Sequence, residues 1–281
     1  MASFDTVAVV GVGLIGGSIG ATLLERGISK RVIGIGRRQG PLRTARRVCA
    51  VTNTTVDLTK GVVDADFVVV CTPVGLIAEH VQTAARYAPQ GTLITDAGST
   101  KQSIVRAIPD ELPRNCRFLG SHPLAGGEKA GPAHATADLF EGKIAIVTPD
   151  SVTRAEDYDR VAEFWQLLGA VVVRMSPEEH DRVIALSSHL PHAVAVALAA
   201  TLPEECFRLA GTGFLDTTRI ASGGTQIWGH ILRENRDCIL AALDRFEENL
   251  GTLRKAIEER NEAEVERILT AAKTTRDSLS N

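Results

Sequence analysis

His122 lies in GSHPLAGGEKAG (120–131), between a serine and a proline, directly after the apolar run CRFL. An imidazole titrates near neutral pH, so a histidine held in place there is a candidate base for a hydroxyl proton. Ser99, in DAGSTK (96–101), follows the apolar run TLIT in the same way. The two side chains could share a hydrogen bond, with hydride leaving the hydroxyl-bearing carbon between them. His189 and His192 in SHLPH are three apart and fall on one helix face. They could form a metal pair, but no nearby cysteine or carboxylate completes a ligand set, so no metal is expected. The plain reading of His189 is a buried, hydrogen-bonded histidine. Arg219 lies in GFLDTTRIASGG, a stretch too polar and glycine-rich for simple core. It either pairs with a helix carboxylate or clamps a substrate carboxylate through its planar fork.

A second set of residues points to a cofactor. GVGLIGGS (11–18) carries GxGxxG as Gly11, Gly13 and Gly16, after an apolar run and before a helical one. Gly11 permits a tight turn, Gly13 lets backbone approach a pyrophosphate, and Gly16 lets the helix pack on the strand. With Leu14 and Ile15 they form the candidate cofactor loop. An NAD-binding site places an acid about 20 residues further on. Here the second strand ends IGIGRRQG, so Arg37 and Arg38 occupy that place. Guanidinium pairs with a 2′-phosphate, which an acid would repel. NADP is therefore favoured, with NAD as the other reading.

These residues need a frame. Short β-branched runs at 6–11, 31–36, 66–71, 92–96, 116–120, 143–148 and 170–175 alternate with helical stretches such as 14–26, 75–88 and 153–168. Fully apolar strands alternating with helices predict a mostly parallel sheet covered on both faces. The pattern changes at Ser176-Pro177, where a capping serine, a proline and a glutamate three residues past the cap open a helix. Ile239, Leu243, Phe246, Leu250, Leu253 and Ile257 mark a seam within a helix over 226–259, and 262–279 reads as a last, polar-faced helix. The expected organisation is an α/β Rossmann-like dinucleotide-binding domain over 1–175 and an all-α domain over 176–281.

Composition narrows the functional classes. The net charge of −3 and 4% aromatic content give neither a basic patch nor a stacking platform for nucleic acid. No apolar run is expected to approach a bilayer span. The N-terminus runs into a strand without a basic, cleavable leader, so a cytoplasmic location is expected. The five cysteines show no zinc-like spacing and are expected as reduced thiols.

In order, GVGLIGGS, CTPV (71–74), DAGSTK, SHPLAGGEKAG, SHLPH and GFLDTTRIAS resemble the prephenate and arogenate dehydrogenases of tyrosine biosynthesis, over about residues 5–250. The resemblance implies oxidative decarboxylation. Hydride leaves the ring carbon bearing the hydroxyl, the hydroxyl gives up its proton, CO2 departs, and the ring aromatises to 4-hydroxyphenylpyruvate. It implies His122 as catalytic histidine and Ser99 as the serine orienting it and the hydroxyl. It implies Arg219 as the carboxylate binder positioned by Asp216, and His192 as a substrate-side histidine with His189 supporting the pocket. Glu128 and Lys129 match a loop at the cleft mouth. Thr72, Pro73 and Val74 join the cofactor-binding residues. The helical domain becomes a homodimerisation domain, with Trp228 approaching the neighbouring subunit's site.

Two departures stand out. Gly127 replaces a hydroxyl-bearing residue, and SGGTQIW (222–228) lacks an Asp-Pro before the tryptophan. A donating His192 favours the pyruvyl side chain of prephenate, whereas the arginine pair leans toward arogenate-using relatives. Other readings are a different NADP-dependent reductase, or a protein that senses NADP without turnover and would not depend on His122.

Overall fold

The computed structural model describes residues 3–127 and 129–279. Its centre is one sheet of eight strands: β1 (Phe4–Val10), β2 (Ser29–Ile35), β3 (Asn53–Thr55), β4 (Phe67–Val70), β5 (Leu93–Asp96), β6 (Arg117–Pro123), β7 (Ile144–Thr148) and β8 (Val171–Arg174). Their order is β3-β2-β1-β4-β5-β6-β7-β8, and only β6 and β7 pair antiparallel. Short, polar β3 is the strand that apolar runs do not reveal.

The strands read as continuous apolar runs because both faces are covered. Val7 and Val9 of β1 pack into one hydrophobic layer, and Ala8 and Val10 into the other. The first layer is closed by α1 (Leu14–Glu25), α2 (Gln39–Arg47) and, further along the chain, the helix Ala155–Leu167 with Phe164 and Trp165 fully buried. The second lies under α3 (Leu58–Gly61), α4 (Val74–Tyr87) and α5 (Gln102–Ala107). The helix Ala155–Leu167 is α6.

Strand order reverses between β1 and β4, and ligands of such sheets bind beyond the carboxyl ends at that point. β6 explains the setting of His122. Its first residues pair with β5, and from Gly120 it continues by pairing with β7, with His122 opposite Ile146. His122 therefore lies within the strand, not after it. Strand alternation buries Ser121 on one face and presents His122 on the other.

After β8 the structure is helical: α7 (Pro177–Ile184), a π-helical turn (Ala185–His189), α8 (Leu190–Ala200), α9 (Thr212–Thr218), α10 (Thr225–Glu234), α11 (Arg236–Glu258) and α12 (Glu262–Ser278). Ser176 caps α7, its Oγ accepting from the Glu179 amide at 3.1 Å. The helix expected over 226–259 is broken at Asn235, whose side chain has a role in the site. The run Pro177–Ala200 is long and apolar enough to cross a membrane by length and composition alone, a test that the core helix of a soluble protein also passes. That run carries a buried Asp181 and three buried histidines, His180, His189 and His192.

By compactness the chain forms two units, Met1–Arg236 and Asp237–Asn281. The first includes the sheet and the helices through α10. Within the second, α12 is capped by Asn261, whose Oδ1 accepts from the Glu264 amide at 3.1 Å.

Candidate active site

Two cavities open at the carboxyl edge of the sheet. The first is bounded by Gly11 and Gly13 after β1, Arg37 and Arg38 after β2, and Thr72 and Pro73 after β4. Gly11 has φ +98°, and a Cβ there would lie 2.7 Å from the Cys71 carbonyl oxygen. Only glycine lets the β1 and β4 loops meet so closely. A Cβ on Gly16 would lie 2.3 Å from the Gly11 oxygen, so the helix seats on the loop only without a side chain. Nothing lies within 4 Å of where a Gly13 Cβ would stand, leaving its backbone open to the cavity at the start of α1. These features fit a dinucleotide pyrophosphate at a helix N-terminus. Leu14 and Ile15 are half-buried on α1, Val74 is buried at the start of α4, and these three lie off the cavity lining. Arg37 and Arg38 are exposed at its mouth, and among the described residues no carboxylate lines it.

The second cavity is lined by Ser99, His122, His189, Trp228 and the loop following His122. Ser99 and His122 face the same space, and among the described residues no hydrogen bond joins them. The His122 Nδ1 partner is instead His180 Nε2 at 2.9 Å. His180 Nδ1 in turn meets Asp181 Oδ1 at 2.8 Å. Asp181 Oδ1 and Oδ2 also accept the amides of Lys101 and Gln102 at 2.8 and 2.9 Å. Burial alone would raise the Asp181 carboxyl, but the bonds from His180 and these amides outweigh it and hold it below the usual range.

An ionised Asp181 sets the protons of the chain behind it. Its oxygen only accepts, so His180 Nδ1 donates and His180 Nε2 is left to accept. His122 Nδ1 therefore carries a proton and donates to it. His122 Nε2 is left with a lone pair for the cavity. Burial, then the neighbouring His180 and Lys101, holds the His122 imidazole well below its ordinary pKa, so it is neutral at pH 7. Burial also lowers His180, against the opposing pull of Asp181.

Beneath lies a fully buried ion pair, Lys101 with Asp96. Lys101 Nζ also donates to the Ser121 carbonyl at 2.8 Å, and Asp96 accepts the amides of Gly98 at 2.8 Å and Ser121 at 3.0 Å. The pair thus ties the β5 exit loop, which carries Ser99, to the strand carrying His122. Burial lowers the Lys101 ammonium, and Asp96 opposes it. His180, Asp181, Lys101 and Asp96 escape sequence reasoning. The last two stood inside DAGSTK, and the first two in a charged first helical turn that reads as solvated.

The expected substrate-side residues divide. His189 lines the cavity; Asn235 Nδ2 lies 3.1 Å from its Nδ1 and donates to the Asp181 carbonyl at 2.8 Å. Burial depresses His189 to about 4. His192 is off the lining. It is buried and stacked on Trp228, centroids 3.4 Å apart at 5°, and its Nδ1 has no hydrogen-bond partner among the described residues. Trp228 thus forms part of its own chain's cavity wall. Asp216 on α9 and Arg219 in the following 3-10 turn (Arg219–Ser222) are exposed and outside that lining, and the turn packs against α8. Lys129 is exposed, and Glu128 lies outside the described residues. A Cβ on Gly127 would stand 3.6 Å from Leu14 Cδ2, an ordinary contact, so a larger residue would fit there.

Residues 19–174 match the family described as prephenate dehydrogenase, nucleotide-binding domain. Residues 176–271 match prephenate dehydrogenase, dimerization domain. The prephenate dehydrogenase of Bacillus subtilis is 34% identical, over 98% of this chain and 76% of that protein. The cyclohexadienyl dehydrogenase of Zymomonas mobilis is 33% identical, over 92% and 90%. Among solved structures, prephenate dehydrogenase of Aquifex aeolicus with hydroxyphenyl propionate and NAD+ superposes with a TM-score of 0.92, at 33% identity and 99% coverage of both chains.

Proposed function

The chain belongs to the prephenate dehydrogenase family, and from that premise we propose that it converts prephenate to 4-hydroxyphenylpyruvate and CO2 in tyrosine biosynthesis. The observation that carries this reading is the series of contacts from Asp181 through His180 to His122, which shares its cavity with Ser99; with Asp181 ionised, that series leaves His122 Nε2 as the acceptor. A nicotinamide dinucleotide, when bound, supplies the hydride acceptor. His122 Nε2 takes the hydroxyl proton as hydride leaves the same ring carbon, and Ser99 orients that hydroxyl. The positive charge is shared toward His180 and balanced by Asp181. Loss of CO2 leaves its electron pair in the ring, which becomes a phenol. A histidine held to low pKa is a good acid once protonated, so His122 returns its proton to the phenolic oxygen, an oxygen of ordinary pKa about 10.

The remaining assignments rest on the resemblance and on position. Arg219, set by Asp216, receives a substrate carboxylate, and its turn packs on the helix that carries His192. His192, Trp228 and Glu128 complete the substrate side, and His189 braces it. For the cofactor, the A. aeolicus relative was crystallised with NAD+. In this chain Arg37 and Arg38, with no acid on the cavity wall among the described residues, favour the 2′-phosphate of NADP. We place the enzyme in the cytoplasm as a homodimer. Exposed Leu209, Leu215, Leu250 and Ile257 support association of two copies, which light scattering would measure. The deciding assay presents prephenate and arogenate, each with NAD and NADP, and follows the absorbance of reduced nicotinamide. Fastest turnover on prephenate with NADP is the expected result. Turnover on arogenate alone would replace the substrate, and no turnover on either would overturn the reading.

A further inference from the structure

A histidine stands on the wall of the cofactor cavity. His80 lies on α4, half-buried, and faces the space bounded by Gly13, Arg37 and Arg38. Its Nδ1 is 3.0 Å from Thr72 Oγ1. Thr72 belongs to the loop that closes on Gly11, so this contact anchors the ring to the floor of the site. With Nδ1 engaged, Nε2 is the ring atom left to meet a ligand.

The charges around this ring are few. Glu79 on the same helix and Arg37 across the cavity bear on it, and the Cys71 thiol beside the cavity is kept neutral by burial. On the elements packed against α4 stand Asp57 and Lys60 at α3, Asp96 at the end of β5, Arg106 on α5, Arg114 before β6, and His230 and Arg233 on α10. Burial, Glu79 and Arg37 are the influences that bear on the ring's charge. Burial and Arg37 both disfavour its charge, so it is neutral in the free protein at pH 7. An incoming dianionic phosphate would reverse that balance, offsetting Arg37 and stabilising an imidazolium. A ribose hydroxyl would not.

We propose that His80 is a cofactor-specificity residue that, beside Arg37, binds the 2′-phosphate of NADP together with a proton. The proposal rests on the NADP preference above. The balance is simple: solvent gives one proton to His80 Nε2 or Nδ1 as the phosphate enters, and it returns to solvent on release.

The test uses 2′,5′-ADP and 5′-AMP with the full chain, by calorimetry at pH 7 in buffers of different ionisation heat. Net proton uptake is expected with 2′,5′-ADP and not with 5′-AMP. In His80→Gln the uptake should vanish and 2′,5′-ADP should bind roughly tenfold more weakly, as for one lost charge-assisted hydrogen bond, while 5′-AMP affinity is kept. Equal proton counts for the two proteins, or for the two nucleotides, overturn the proposal. If the variant fails to fold, proton NMR of the native chain decides. One of the seven histidines must titrate about one unit higher with 2′,5′-ADP, and no such shift overturns it. Should 2′,5′-ADP bind no tighter than 5′-AMP, the NADP preference itself has failed, a result distinct from tight binding without a proton.

Discussion

His122 and His180 meet ring to ring, Nδ1 to Nε2 at 2.9 Å, with centroids 5.1 Å apart at 64°. The partner of the candidate base is thus another imidazole, and the carboxylate that orients it, Asp181, stands one ring further away. Charge arriving on His122 can spread across two rings before it meets an anion.

Replacing His122 by Asn should lower turnover by about 10²–10⁴-fold, as for loss of a positioned base. Asp181→Asn should act through tautomer and cost less, roughly 10–100-fold. Both are read as kcat on prephenate, alongside urea midpoints. Undiminished kcat in His122→Asn would refute the assignment.

Arg37 and Arg38 stand at the cavity mouth where an NAD site would hold an acid. Changing both to Ala should weaken NADP by about tenfold or more while sparing NAD. Fluorescence titration of each reduced cofactor measures this, and equal loss of both would remove the 2′-phosphate argument.

Stability should fall in mild acid because of His189. Burial holds it at about 4 against an ordinary 6.5. Between those values the unfolded chain binds the proton and the folded chain does not. Its full contribution is therefore present above pH 6.5 and is lost as pH falls toward about 4, at up to about 1.4 kcal/mol per unit. Urea unfolding at stepped pH should show a shallower slope in His189→Gln than in the native chain. An identical slope would mean that His189 titrates normally.

The His192–Trp228 stack predicts a spectroscopic signal. Burial lowers His192, so Trp228 emission should quench only below pH 6.5, over a constant background from Trp165, buried and bonded to Ser121 at 2.9 Å. A Cβ on Gly223 would stand 2.6 Å from Trp228 Nε1 and 3.2 Å from His192 Cε1. Gly223→Ala should therefore part the rings and abolish the acid quench. Quenching unchanged by that substitution would place the ring pair elsewhere.

The alternation of apolar runs and the glycine loop made the sheet and cofactor cavity legible in the sequence, because burial on two faces and a tight turn leave local signatures. Ser99, His122 and His189 were legible for the same reason, standing beside strand ends or in a distinctive motif. The network behind them was not. Lys101 belongs to a residue type that almost never lies fully buried, and only the three-dimensional approach of Asp96 and Ser121 makes it tolerable. His180 and Asp181 follow two glutamates at the start of α7, which reads as a solvated helix end. Asn235 reads as one more position in a helical seam, until its side chain is found holding His189 and the Asp181 carbonyl. Local pattern predicts what a segment becomes, whereas Asp181 and Asn235 are defined by partners 80 and 46 positions away, Lys101 and His189.

The π-helical turn Ala185–His189 sits between the two histidine-bearing helices. An α-helix advances each residue by about 100° around its axis, so one additional residue is an angular offset built into the chain. His180 and Asp181 belong to the phase before it, and His192 to the phase after. Deleting a single residue there would shorten the segment by little yet swing one histidine set around the axis relative to the other. The turn is thus a dial that aims two groups of side chains independently. Length changes at this point should be far more damaging to activity than conservative substitutions of the residues that compose it.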